Sequence, residues 1–432
     1  MIKKKIAWFS LLLFILYFCL SGCSKPIYIP DYSHHLRGDE RSYQTILANP
    51  SKVKANKPVI ALQEKAFPII VTSLTDLEKN EFGDYDFRYK DLSSHNLSIL
   101  DYSHFNFSTN TVWPEILPEG FDPQNTLEEG KNPGLGIRDL HAQGIDGRGI
   151  GIAIIDFALL LEHREYADRI MYYERIHCND TFTSMHGAAV ASLVAGETTG
   201  IAPKSKLYYF AVTNGHFDET AFTYDCSILA DAIYRIMEVN RFLSDEEKIR
   251  VISISVGYSS LQEGYDSLQE AISQASKENI FVITTSTQEY YKNLYIRGLS
   301  RDLSANPDMI SSYSYATWIN EQYIMADSTT ANKYLMFPVG NRTYASFIGA
   351  DDYEINCTGG LSWAVPWCAG FYALCCQVKP DITPEEFIDI AYETAHLMEI
   401  EIGEKMYPFG KSISPEEVIN VLLGNDLSTP LD

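Results

Sequence analysis

The chain has 432 residues and a formal charge of −23, with 57 acidic side chains against 34 basic ones. So acidic a surface repels nucleic acid, which excludes that class of partner and suits a protein kept in solution by self-repulsion. An aromatic share of 12% and the lack of long single-charge runs exclude a disordered chain.

The first element is an export signal. Met-Ile-Lys-Lys-Lys precedes an apolar run from Ile6 to Leu20, shorter than the roughly 20 residues of a spanning helix. Leu20-Ser21-Gly22-Cys23 follows and resembles a bacterial lipobox, which implies cleavage before Cys23 and a lipid on its sulfur. The expectation is a signal peptide over 1–22 and a chain held on the outer or periplasmic face of the cell membrane. Residues 23–132 read as an N-terminal extension, prosegment-like or retained. Within it, Leu92 to Trp113 is rich in Ser, Asn, Asp and Tyr and predicts loops with short strands, without an internal repeat.

After Gly134 the pattern changes to apolar runs of four to eight residues alternating with helical spacing. The predicted strands are Gly151–Ile155, Leu207–Val212, Val251–Ser255 and Ile280–Thr284, and the predicted helices Cys226–Phe242 and Leu261–Lys277. This is an α/β pattern with a mainly parallel sheet, in which ligands sit at the carboxyl ends of the strands. The predicted main domain runs over 133–400, and 401–432 is expected to pack on it.

Three motifs fall at such ends. Gly151-Ile-Ala-Ile-Ile-Asp156 closes an apolar strand on a carboxylate. By itself that Asp is more often a turn opener. His186-Gly-Ala-Ala-Val-Ala-Ser-Leu-Val-Ala-Gly196 opens a helix of small residues on a histidine. Gly359-Gly-Leu-Ser362-Trp-Ala-Val-Pro366 places a serine at the mouth of an apolar helix, where free N–H groups and the positive dipole end favour an oxyanion. Pro366 is expected in the first turn of that helix.

Together the three motifs resemble the subtilases, with Asp, His and Ser in that family's order. The Asp motif matches at Asp156 but not at Phe157-Ala158. The His motif matches His186-Gly187 and Val190-Ala191. The Ser motif matches Gly360, Ser362, Ala364 and Pro366, and Gly200-Ile-Ala-Pro203 and Val251–Gly257 resemble further family segments. The resemblance spans Gly134 to Ala395. It implies a subtilisin-like fold and serine endopeptidase activity with Asp156, His186 and Ser362 as the triad, and a peptide or protein substrate in a cleft lined by Ser255, Val256 and Gly257. No cofactor or metal is implied.

Thr287 stands where the family places its oxyanion-hole Asn, so Thr287, Ser286 and Gln288 are the candidate donors. Tyr258 stands where a glycine often borders the first specificity pocket. A catalytically weak or inactive subtilase-fold pseudoprotease, acting as a cell-surface binding lipoprotein, is the alternative reading. An α/β-hydrolase fits poorly, since its G-x-S-x-G elbow meets Ala364 here and His396 is the only histidine after Ser362. Cys368, Cys375 and Cys376 read as small buried hydrophobes, and sequence alone leaves a disulfide from Cys178 to Cys226 or Cys357 open.

Overall fold

The computed structural model describes residues 68–425, apart from 75, 76, 78, 179, 181 and 218–221. The signal peptide and Cys23 lie outside the described residues.

At the centre is a five-stranded parallel sheet in the order Phe281–Thr284, Ile249–Ile254, Gly151–Asp156, Lys206–Ala211, Ile170–Arg175. Its inner strands are buried along almost their whole length. Both faces are covered, which is why these segments read as continuous apolar runs rather than alternating ones. Ile170–Arg175 escapes the sequence reading because Glu174 and Arg175 cut its apolar run short on this edge strand. The helices Cys226–Arg241 and Tyr265–Lys277 pack together in one layer, and Met185–Ala195 and Leu361–Val378 pack together in another.

Leu361–Val378 is long and apolar enough to cross a membrane by composition, yet 78% of it is buried inside the protein. It is a core helix. Pro366 is its sixth residue, not a first-turn residue, because the helix already begins at Leu361. Proline has no N–H to give the carbonyl four residues back, which is that of Ser362. The Ser255 hydroxyl donates to this carbonyl instead, at 2.9 Å.

A second sheet runs Tyr313–Tyr315, Tyr295–Arg301, Tyr334–Pro338, Lys405–Ser412, His396–Ile402. The segment after residue 400 therefore enters the body of the fold, and its Phe409, Ile413, Val418 and Ile419 join the main core. The six cysteines among the described residues are all free thiols. Five are buried and Cys178 is half-buried, so no disulfide joins Cys178 to Cys226 or Cys357.

The extension differs most from expectation. It contains a five-residue repeat after all, in which Asp86, Asp91, Asn96, Asp101 and Asn106 each precede an apolar or aromatic residue, namely Phe87, Leu92, Leu97, Tyr102 and Phe107. The first four of these Asp/Asn side chains accept from the backbone N–H two residues on: Arg88 (3.2 Å), Ser93 (2.9 Å), Ser98 (2.9 Å) and Ser103 (3.0 Å). Each such bond makes a corner. Four corners return the chain onto itself, so Tyr85 pairs in parallel with Phe105 and Asp86 with Asn106, while Leu92 N–H donates to the Val112 carbonyl. The result is a short stacked coil filled by Phe87, Leu92, Leu97, Phe105 and Phe107, each at most 1% exposed. The coil docks through Phe105–Ser108, which pairs antiparallel with Tyr353–Asn356 of the main body.

Candidate active site

Asp156 ends the middle strand of the parallel sheet and is 3% exposed. Its carboxylate receives the Phe157 N–H at 2.8 Å and the Nδ1 side of His186 at 2.8 and 2.9 Å to its two oxygens. With the proton assigned to Nδ1 by this bond, Nε2 is the open face of the imidazole. Burial opposes charging of His186, but the Asp156 carboxylate outweighs it and lifts the imidazole pKa above its usual 6.5.

His186 sits in the first turn of Met185–Ala195, whose N-cap Ser184 accepts the His186 N–H at 3.2 Å. The glycine after it is a packing requirement. A Cβ on Gly187 would lie 2.5 Å from the Tyr209 hydroxyl and 2.9 Å from the Phe157 carbonyl. Only a bare backbone brings this helix so close to the strand that carries Asp156.

The imidazole meets the Trp363 ring edge-to-face at 6.0 Å between centroids, so the start of helix Leu361–Val378 lies beside it. Ser362 is the second residue of that helix. Ahead of it, Gly359 takes φ +71°, and a Cβ there would meet the Val339 carbonyl oxygen at 2.2 Å. Gly360 is extended, with φ 177°, and has open space around it. Of the two glycines, the first makes the turn.

The Ser362 hydroxyl donates to the Ser255 carbonyl at 3.2 Å rather than to His186. A rotation about one side-chain bond separates that position from others, and such bonds commonly tighten only with substrate present. Ser255 thus touches Ser362 twice, through its hydroxyl and its carbonyl. Next along the predicted cleft, the Val256 N–H goes to the Ile254 carbonyl (2.8 Å), and its own carbonyl accepts from Thr285 N–H (3.2 Å). Both backbone groups of Val256 are therefore already engaged within the protein. Among the described residues those of Gly257 have no partner, and are open to an extended peptide.

The candidate oxyanion donors divide. Thr287 is 2% exposed, and its hydroxyl gives its one proton to the Thr284 carbonyl while accepting the Thr284 N–H at 3.1 Å. It is a turn-forming residue facing inward, which removes it as a donor to the cleft. The Ser286 hydroxyl accepts the Tyr258 N–H at 3.1 Å and keeps its own proton available. A Cβ on Gly257 would stand 3.2 Å from that oxygen, so Ser286 borders the cleft strand. Gln288 is half-buried, with no hydrogen-bond partner among the described residues. Tyr258 is 4% exposed and packs on Tyr265 at 6.0 Å between centroids. No cluster of His, Cys, Asp and Glu among the described residues is arranged to hold a metal ion.

The sequence profile of the subtilase family, the S8 peptidases, matches residues 100–412. The chain belongs to the subtilase family. No curated protein matches the sequence. Solved structures with a similar fold include the prenylagaramide maturation protease PagA (17% identity, TM-score 0.45, 67% of this chain and 99% of that one). A cold-adapted subtilisin-like serine proteinase shares 18% identity at TM-score 0.41, over 62% of this chain and 89% of its own. The A-subunit of the AB5 toxin from E. coli shares 15% identity at TM-score 0.47, over 67% and 98%. The subtilase profile begins inside the coil, whose five-residue spacing was the signal that sequence reasoning missed.

Proposed function

We propose that this subtilase is an active serine endopeptidase, held at the cell membrane by lipid on Cys23. The observation that carries the reading is the buried Asp156 carboxylate bonded to His186 Nδ1, beside the helix that begins with Ser362. In the mechanism this supports, His186 Nε2 takes the proton of Ser362 as Oγ attacks a peptide carbonyl. Asp156 fixes the imidazole tautomer and stabilises its charged form. His186 then protonates the leaving amine, and water releases the acyl group from Ser362 in a second step. The Ser362 N–H, at the start of a helix with unpaired donors, and the Ser286 hydroxyl are suited to hold the oxyanion.

A second reading, a catalytically weak or inactive subtilase acting as a cell-surface binding lipoprotein, is favoured by the Ser362 hydroxyl engaged with Ser255 and by the inward Thr287. Labelling with a fluorophosphonate probe separates the two. The protease reading expects wild type to be labelled and Ser362→Ala not. An unlabelled wild type selects the second. The lipid anchor has its own test, in which Cys23→Ala abolishes incorporation of radioactive fatty acid.

A further inference from the structure

The five-residue repeat of the extension is regular in its first four corners and departs from itself in the fifth. Asp86, Asp91, Asn96 and Asp101 each close their own turn. Asn106 does not. Its Oδ1 accepts the Cys357 N–H at 2.8 Å and the Cys357 thiol at 3.1 Å. One coil above, the carboxylate of Asp84 accepts the Thr358 hydroxyl. Asp84 is 3% exposed and is held in turn by His104 Nδ1 (2.9 Å) and Asn80 Nδ2 (3.0 Å). Burial pushes its carboxyl up, but bonds from Thr358, His104, Asn80 and Cys357 outweigh that and keep it below the usual Asp range.

Cys357 and Thr358 lead directly into Gly359, Gly360 and the helix that bears Ser362. On the side of the main body the loop is tied by Asn356, whose Oδ1 accepts the Thr358 and Gly359 N–H groups at 3.0 and 2.8 Å, and by the Asn341 N–H, which donates to the Cys357 carbonyl at 3.1 Å. The coil supplies the opposite wall. It also covers Glu354, which is wholly buried and accepts from Arg88 (3.1 Å) and from the Tyr89 hydroxyl of the coil, besides Ser346 (2.8 Å). Removing the coil would strand a buried carboxylate and uncover Ile355 and Tyr353 from the shared aromatic core.

We infer that the N-terminal coil is a permanent part of the working enzyme, and that Asp84 and Asn106 are positioning residues that fix the Ser362 loop through Thr358 and Cys357. This rests on the protease reading above. A nucleophile misplaced by an ångström loses roughly a hundredfold in rate, so a loop loosened at one of the two ties from the coil loses a substantial part of that.

The test is the rate of fluorophosphonate labelling of Ser362 on the full chain, resolved into the limiting rate kinact and the half-saturating concentration KI. Asp84→Ala, Asn106→Ala and Thr358→Val are each expected to lower kinact by about tenfold or more with KI nearly unchanged, since they move the nucleophile rather than the cleft. Asp84→Asn keeps an acceptor for Thr358 and recovers most of the rate. Asp101→Ala, whose bonds stay within the coil, leaves kinact unchanged, and the labelled protein retains residues 79–132 by mass spectrometry. Thr358→Val guards against misfolding, because it alters the tie from the loop side without touching the coil. A labelled wild type whose variants keep the full kinact overturns this inference alone, as does labelled protein that has lost residues 79–132. An unlabelled wild type overturns it together with the protease reading.

Discussion

The substitution Ser255→Ala removes the hydrogen that stands in for the one Pro366 lacks. The Ser255 hydroxyl is on a residue 7% exposed, and its acceptor is the Ser362 carbonyl at 2.9 Å. Deleting a donor and leaving a partly buried carbonyl unpaired costs about 1–3 kcal/mol. The same deletion made in a Pro366→Ala background should cost less than about 1 kcal/mol, because the N–H that this change restores lies four residues beyond Ser362 and satisfies its carbonyl within the helix. Pro366→Ala alone gains that helical bond but loses roughly 0.4–1 kcal/mol of unfolded-state restriction, so it should be near neutral. Urea denaturation of the four proteins, followed by tryptophan fluorescence, gives the coupling energy from the double-mutant cycle. The reasoning requires a coupling of about 1 kcal/mol or more, in the sense that Pro366→Ala rescues Ser255→Ala. Equal losses in the two backgrounds would refute it.

Three further outcomes follow from the site. His186 has its pKa raised above 6.5, so its charged form is favoured by folding. That contribution to stability is complete below the unfolded value of 6.5 and is lost as pH rises through the folded value. Activity runs the other way, because the base must be neutral: the acid limb of kcat/KM should have its midpoint above 6.5, and Asp156→Asn should lower it. Ser286→Ala should lower kcat by about 2.7–4 kcal/mol of barrier if its hydroxyl holds the oxyanion, whereas Thr287→Ala should shift the denaturation midpoint instead, and steady-state kinetics beside urea titration tell them apart. Gly187→Ala forces a Cβ against Tyr209 and Phe157 and should destabilise by about 1–3 kcal/mol in the same titration.

The parts of the fold legible in the sequence are those whose cause is local. The apolar runs around Ile152, Leu207, Val251 and Phe281 announce buried parallel strands because both faces are covered. Asp156, His186 and Ser362 stand out because a strand end, a helix start and a glycine turn each leave a signature within ten residues. Thr287 was unreadable as an inward residue, since its burial depends on the turn it forms with Thr284. Pro366 misled for a related reason. The helix starts earlier than its proline suggests, and only a tertiary donor, Ser255, makes that tolerable. The coil was invisible because its period of five matches neither the two of a strand nor the 3.6 of a helix.

That period sets rules for how the extension can change. Each coil touches only its neighbours, as in longer solenoids. Loss of a single residue between Asp86 and Asn106 would rotate Phe87, Leu92 and Leu97 off the interior. Loss of five would keep the interior filled but carry Asp84 to a different side from Asn106. Only a whole turn, the offset between Tyr85 and Phe105, and only outside the stretch from Asp84 to Asn106, can be added or removed with both residues still facing Cys357 and Thr358. Length variation in this segment should therefore be quantised, and relatives that keep both ties should differ here by complete turns or not at all.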